Sequence, residues 1–178
     1  MKKLTVLIVA LTAALFIAGC ATTQGPTVND KLNEAKGSAP PGALVGQGSA
    51  KESSLDAAEK KAKDRALFAI VKGMIFIAHD MVDDSVTQGR LATSDATALK
   101  QNITSALSAS SLNRVQKVDA GTIGKDEAWA VYFMDKGDVQ KEIENAVNAA
   151  KEKVNARAFN TNSFDTKYPA GANREWKN

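Results

Sequence analysis

The stretch from Ala66 to Ala78 constrains the fold of this chain more than any other. Leu67, Phe68, Ile70, Val71, Met74, Ile75, Phe76 and Ile77 cover every side of a helix there, interrupted only by Lys72 and Gly73. A helix that is apolar all round has to be buried all round. Upstream, Leu55, Ala58, Ala62, Ala66, Ala69 and Ile70 recur at helical spacing, so the helix reaches back to Ser53 and Asp56, spaced like a capping box with Asp in place of Glu. Asp56 with Lys60, and Glu59 with Lys63, are acid-before-base pairs four apart, which makes the basic run from Lys60 to Arg65 a solvated helix face. The apolar part has two ways to be covered. One is a sheet and a second helix of the same protomer; the other is a second protomer, with Leu67, Phe68, Val71, Ile75 and Phe76 as the interface.

The covering elements are legible around it. At 178 residues the chain has room for one modest domain. With 44% hydrophobic and 24% charged residues it lies outside the composition of disordered chains. Gly42 to Ala50 reads as a first strand in which Gly46 and Gly48 permit a bulge or a close backbone approach. No Gly-Lys-Ser/Thr follows, so these glycines are not a phosphate loop. Gly89 ends the long helix, and Ser94 with Asp95 caps another that runs to about Ser108. Val115 to Ile123 and Glu127 to Met134 form a hairpin through Gly124-Lys125-Asp126. In its second arm Trp129, Val131 and Phe133 share one face and Ala128, Ala130, Tyr132 and Met134 the other, so both faces need at least partial cover. A last helix from about Asp138 to Val154 carries Val139, Ile143, Ala146, Val147, Ala150 and Val154 on one stripe. The expectation is an α+β domain over residues 42–155, a small antiparallel sheet packed on a long helix with additional helices. Residues 156–178 are an Asn-rich polar tail, expected to dock through Phe159, Phe164, Tyr168 and Trp176.

Residues 20–41 are rich in Thr, Gly, Ser, Ala, Pro and charge, and read as a flexible tether with a reach of roughly 25 Å. Before them, Lys2 and Lys3 precede an apolar run from Leu4 to Ala18, the pattern of a secretory signal and shorter than a membrane-spanning helix requires. Ile17-Ala18-Gly19-Cys20 resembles the lipobox of bacterial lipoproteins. That resemblance implies cleavage after residue 19, a thioether-linked diacylglycerol on Cys20 and usually a third, amide-linked chain such as palmitate. More than one acyl chain is what stable anchoring requires. Ala21 in place of an Asp implies sorting to the outer membrane where enteric-type rules apply.

Cys20 is the only cysteine, so intramolecular disulfides, multi-cysteine zinc sites and internal thiol catalysis are excluded together. The formal charge is +3, and two of those charges, Lys2 and Lys3, leave with the leader. The mature chain has no basic footprint for nucleic acid. His79 is the only histidine, set beside Asp80, Asp83 and Asp84 at spacings a metal site can use. Emerging from an apolar helix, these four residues read as its solvated end, and no metal, cofactor or catalytic residue is expected.

The strand Val45-Gly46-Gln47-Gly48-Ser49-Ala50, the alanines 58, 62 and 66 at every fourth residue and the run Asp64-Arg65-Ala66-Leu67 together resemble the Lpp-twenty family of small bacterial surface lipoproteins. A related pattern occurs in the amino-terminal domain of flagellar T-ring proteins. The resemblance covers about Gly42 to Met134 and implies a dodecin-like topology without known catalysis. The chain lacks the Trp-rich segment often found before the first strand, and the helix from Ser94 is an elaboration. The expected function is a non-catalytic, membrane-anchored module of the cell envelope that is structural or binds envelope proteins. Alternatives are an envelope or flagellar assembly accessory and a carrier of a small apolar ligand held between the Ala66 to Ala78 helix and the sheet.

Overall fold

A computed structural model describes residues 25–154, 156, 159–168 and 174–175. The expected signal peptide and the lipidated Cys20 lie outside the described residues, as does Trp176. Elements in chain order are α1 (Val28–Gly37), β1 (Leu44–Lys51), α2 (Leu55–Thr87), α3 (Thr93–Ser108), β2 (Gln116–Ile123), β3 (Glu127–Met134), α4 (Lys136–Lys151), the single turn α5 (Phe164–Lys167) and β4 (Arg174–Glu175). The architecture is α+β, a small antiparallel sheet packed on one long helix, as the hydrophobic patterning predicts.

Strand order is β2-β3-β1-β4. β1 and β2 both run antiparallel to β3, and β4 adds two residues parallel to β1 opposite Leu44 and Val45. The 33-residue α2 lies across the sheet. Its closest approach is at the glycines of β1: a Cβ placed on Gly46 would stand 2.1 Å from the Ala66 carbonyl oxygen, and one on Gly48 2.1 Å from that of Ala62. Ala58, Ala62 and Ala66 are fully buried there with Ala50, Ala128 and Ala130. Small residues on both partners bring two backbones into direct contact, and of the two uses the sequence allows for these glycines the fold takes the close approach.

Further along, α2 builds the main core. Ile70, Met74, Ile77, Met81 and Val82 meet Leu99, Ile103 and Leu107 of α3, Val139, Ile143 and Val147 of α4, and Leu44 and Met134 of the sheet. One protomer therefore covers most of the helix that is apolar on every side. Past Thr87 the chain closes a Schellman turn, with Gly89 at φ 67° and N–H groups of Gly89 and Arg90 donating to the carbonyls of Val86 and Ser85. The sequence places this stop correctly.

Several boundaries differ. Ser54, not Ser53, caps α2, its hydroxyl accepting from the Ala57 N–H at 3.3 Å. α3 starts at Thr93 behind Ala92 without a side-chain cap, one residue ahead of the Ser94 and Asp95 expected to serve. The larger correction is the tether. Val28–Gly37 is a helix with a complete capping box between Thr27 and Asp30, and Leu32, Ala35 and Ala39 are buried against Trp129, Val131 and Phe133. The sheet face that needed cover is covered by this helix, which begins eight residues after Cys20 in the sequence.

The tail is likewise part of the domain. Phe159, Phe164 and Tyr168 are 1%, 2% and 0% exposed, inside the same core as α2 and α4. Lys167 pairs with Asp84 at 2.9 Å and Lys136 with Asp165 at 2.7 Å. A domain edge at 155 is thus too early.

Candidate functional site

The expected interface residues separate into two groups. Val71 is buried in the core, while Leu67 and Ile75 are half-buried. Among the described residues, Phe68 and Phe76 are the large hydrophobic side chains that stand exposed, at 57% and 45%. At about 100° per residue, Phe68, Lys72, Ile75 and Phe76 fall on one stripe of α2, and Arg65 and Lys61 continue it one and two turns toward the N-terminus. Lys61 pairs with Glu52, and the Arg65 guanidinium donates to the Ser49 carbonyl at 2.5 Å. These bonds hold the basic end of the stripe over the outer edge of β1. A cleft of about 460 Å³ opens beside it, lined by Leu32 of α1, Gln47, Gly48 and Ser49 of β1, and Arg65 and Phe68 of α2. α1 and the exposed stripe of α2 therefore meet at this edge of the sheet.

A second cleft of about 480 Å³ lies between the first turns of α2 and the strands β2 and β3. Asp56, Glu59, Lys60 and Lys63 form its wall, and Lys117, Ala120, Ala130 and Tyr132 its floor. The expected ion pairs of Asp56 with Lys60 and of Glu59 with Lys63 do not form.

His79 belongs to the packing of α2 on α3. Its Nε2 lies 3.0 Å from the Thr104 hydroxyl and 3.3 Å from the Lys100 carbonyl, and burial lowers its pKa from the ordinary 6.5. Asp83 pairs with Lys100 and Asp84 with Lys167. His79, Asp83 and Asp84 are thus each tied to another helix or to the tail, and among the described residues no three ligating side chains converge on a point that can hold a metal ion.

The place where the sequence offers room for an apolar ligand, between α2 and the sheet, is filled by the alanine contacts and by Ile70, Met74 and Ile77, all fully buried. Among the described residues no helix is long and apolar enough to cross a membrane. Sequence reasoning missed α1 and with it Leu32, although Val28, Leu32, Ala35 and Ala39 stand at helical spacing behind the Thr27 and Asp30 box. No protein-family model matches the chain, and no curated protein matches it in sequence.

Proposed function

We propose that this chain is a lipid-anchored, non-catalytic module of the bacterial cell envelope, held on the outer membrane through Cys20 and serving there as a structural or protein-binding element. The observation that carries the reading is the leader: two lysines, an apolar run from Leu4 to Ala18 and the lipobox-like Ile17-Ala18-Gly19 before the chain's only cysteine. A cysteine retained nowhere else is accounted for by acylation at that position. The resemblance to the Lpp-twenty family supports the same reading, and the residues that carry it, Gly46 and Gly48 over Ala62 and Ala66, have a packing role in the domain. His79, Asp83 and Asp84 spend their polar groups on holding elements together.

The test is metabolic labelling of the full chain with an alkyne fatty acid in a bacterial host, beside Cys20→Ala. The expected result is label on the wild-type chain, a mass matching loss of residues 1–19 plus acyl chains, and no label on Cys20→Ala. Label retained by the substituted chain, or a wild-type chain without acyl mass, overturns the proposal.

A further inference from the structure

We propose that the Asp119 carboxylate closes the outer edge of β2 to a further strand, and that its removal opens this edge to β2 of a second copy of the chain.

β2 ends the sheet on its side, and the direction of its backbone groups follows from β3. The Glu52 N–H donates to the Asp126 carbonyl at 2.9 Å, one step past the pairing of Lys51 with Glu127, so this is a hydrogen-bonded pair of the β1–β3 ladder. Alternation makes Ala50 with Ala128 and Gly48 with Ala130 bonded pairs as well. The backbone groups of Ala128 and Ala130 therefore turn toward β1 and away from β2. Their neighbours on β2, Thr122 and Ala120, accordingly point N–H and C=O out of the sheet, and both residues are exposed.

One of these outward groups is already taken. The Ala120 N–H donates to Asp119 Oδ1 at 2.8 Å. Just before it, the bulge between Lys117 and Asp119 breaks the alternation, leaving Ala120 and Thr122 as the run that a straight partner strand can follow. That run is self-complementary. A second β2 running antiparallel about a twofold axis at Gly121 sets Ala120 of one copy opposite Thr122 of the other, and half of the hydrogen bonds so formed need the Ala120 N–H. Asp119 withholds it. The opposite edge is treated alike: the odd-numbered residues of β1 face outward there, Val45 meets β4, and the Ser49 carbonyl accepts from the Arg65 guanidinium at 2.5 Å. Charged side chains and bulges are how sheet edges are kept from joining.

Sedimentation equilibrium of the full chain, in detergent micelles matched in density to the solvent, tests this. Asp119→Ala is expected to self-associate roughly tenfold or more tightly than the wild-type chain, since the freed N–H groups gain a hydrogen bond on each copy. Asp119→Asn keeps an oxygen for the Ala120 N–H and is expected to sediment as the wild type does. Glu152→Ala, which removes the same charge at an exposed position past α4, is expected to do so too. Adding Thr122→Pro to Asp119→Ala deletes an outward N–H and none that bonds to β3, a place where an edge strand tolerates proline, and is expected to abolish the gained association. An Asp119→Ala chain that associates no more tightly than wild type overturns the proposal. Association that survives Thr122→Pro overturns it as well, because the copies then meet elsewhere or through unfolded chain. Asp119→Asn associating as strongly as Asp119→Ala also overturns it, because charge and not the hydrogen bond then keeps the copies apart.

Discussion

The phenolic oxygen of Tyr168 donates to the carbonyl of Gly42 at 2.7 Å, closing the chain across 126 residues just before β1. Tyr168 is fully buried, stacks on Phe164 with centroids 5.5 Å apart, and precedes the two residues of β4 that extend the sheet beside Leu44 and Val45. The tail is therefore a strap over the start of the sheet. Tyr168→Phe removes only the hydrogen bond and is expected to cost about 1 to 2 kcal/mol. Phe164→Ala opens a cavity under it and is expected to cost about 3 to 5 kcal/mol. Urea unfolding of the two variants measures both, and equal losses would show that the ring at 164 carries no packing.

Gly46 and Gly48 yield the sharpest steric expectation. Gly46→Ala and Gly48→Ala each place a Cβ 2.1 Å from a carbonyl oxygen of α2, which is backbone and cannot rotate aside. Either substitution is expected to lower stability by about 3 kcal/mol or more, above the usual range for overpacking. Gly137, in the first turn of α4, has nothing within 4 Å of its Cβ position, so Gly137→Ala is expected to raise stability by about 0.5 to 1 kcal/mol. Thermal melts of the three variants decide it. A neutral Gly48→Ala would mean that α2 does not lie on β1.

What could be read from the sequence divides along the strength of local signals. The hairpin through Gly124 and the stop at Gly89 rest on residues that adopt positive φ, 69° and 67°, and both were legible. The long helix was legible from its alanines, and the burial of Phe159, Phe164 and Tyr168 from the aromatic content of a polar tail. α1 was not, because its ten residues carry only Val28, Leu32 and Ala35 as apolar contacts among six charged or amide side chains, and its helicity depends on the sheet face it covers. The need for that cover could be read from Trp129, Val131 and Phe133; the identity of the cover could not. Leu67 to Ile77 led to the expectation of a broad interface because sequence cannot count how many elements converge on one helix. α3, α4, the sheet and the tail together reduce the exposed part to Phe68 and Phe76.

The cover supplied by α1 has its own consequence. Leu32 is 9% exposed against a face where Trp129 is 6% exposed. Leu32→Asp puts a charge into that contact and is expected to detach α1, shifting Trp129 emission to longer wavelength while the far-ultraviolet circular dichroism of the remaining helices persists. Leu32→Ala is expected to cost about 2 to 3 kcal/mol. An unchanged emission spectrum in Leu32→Asp would indicate that residues 28–37 do not shield the sheet.

His79 gives the domain a pH dependence whose sign follows from its surroundings. Burial is the largest influence and lowers its pKa, with the Lys100 ammonium acting the same way, while the hydrogen bond to the Lys100 carbonyl and the charges of Asp83 and Asp80 oppose it. The folded state thus favours neutral imidazole, and the unfolded chain, titrating near 6.5, binds the proton more readily. Stability is expected to be unaffected by this group above that value and to fall as pH drops from 6.5 through the lower folded pKa, because the unfolded state takes up more protons in that window. The part of the fold at stake is the α2 to α3 contact, where Nε2 meets the Thr104 hydroxyl at 3.0 Å. His79→Gln keeps a group able to reach Thr104 and cannot titrate. Its urea midpoint is expected to change less between pH 7 and pH 5 than that of the wild-type chain, and parallel profiles for the two proteins would show that His79 stays protonation-neutral to folding.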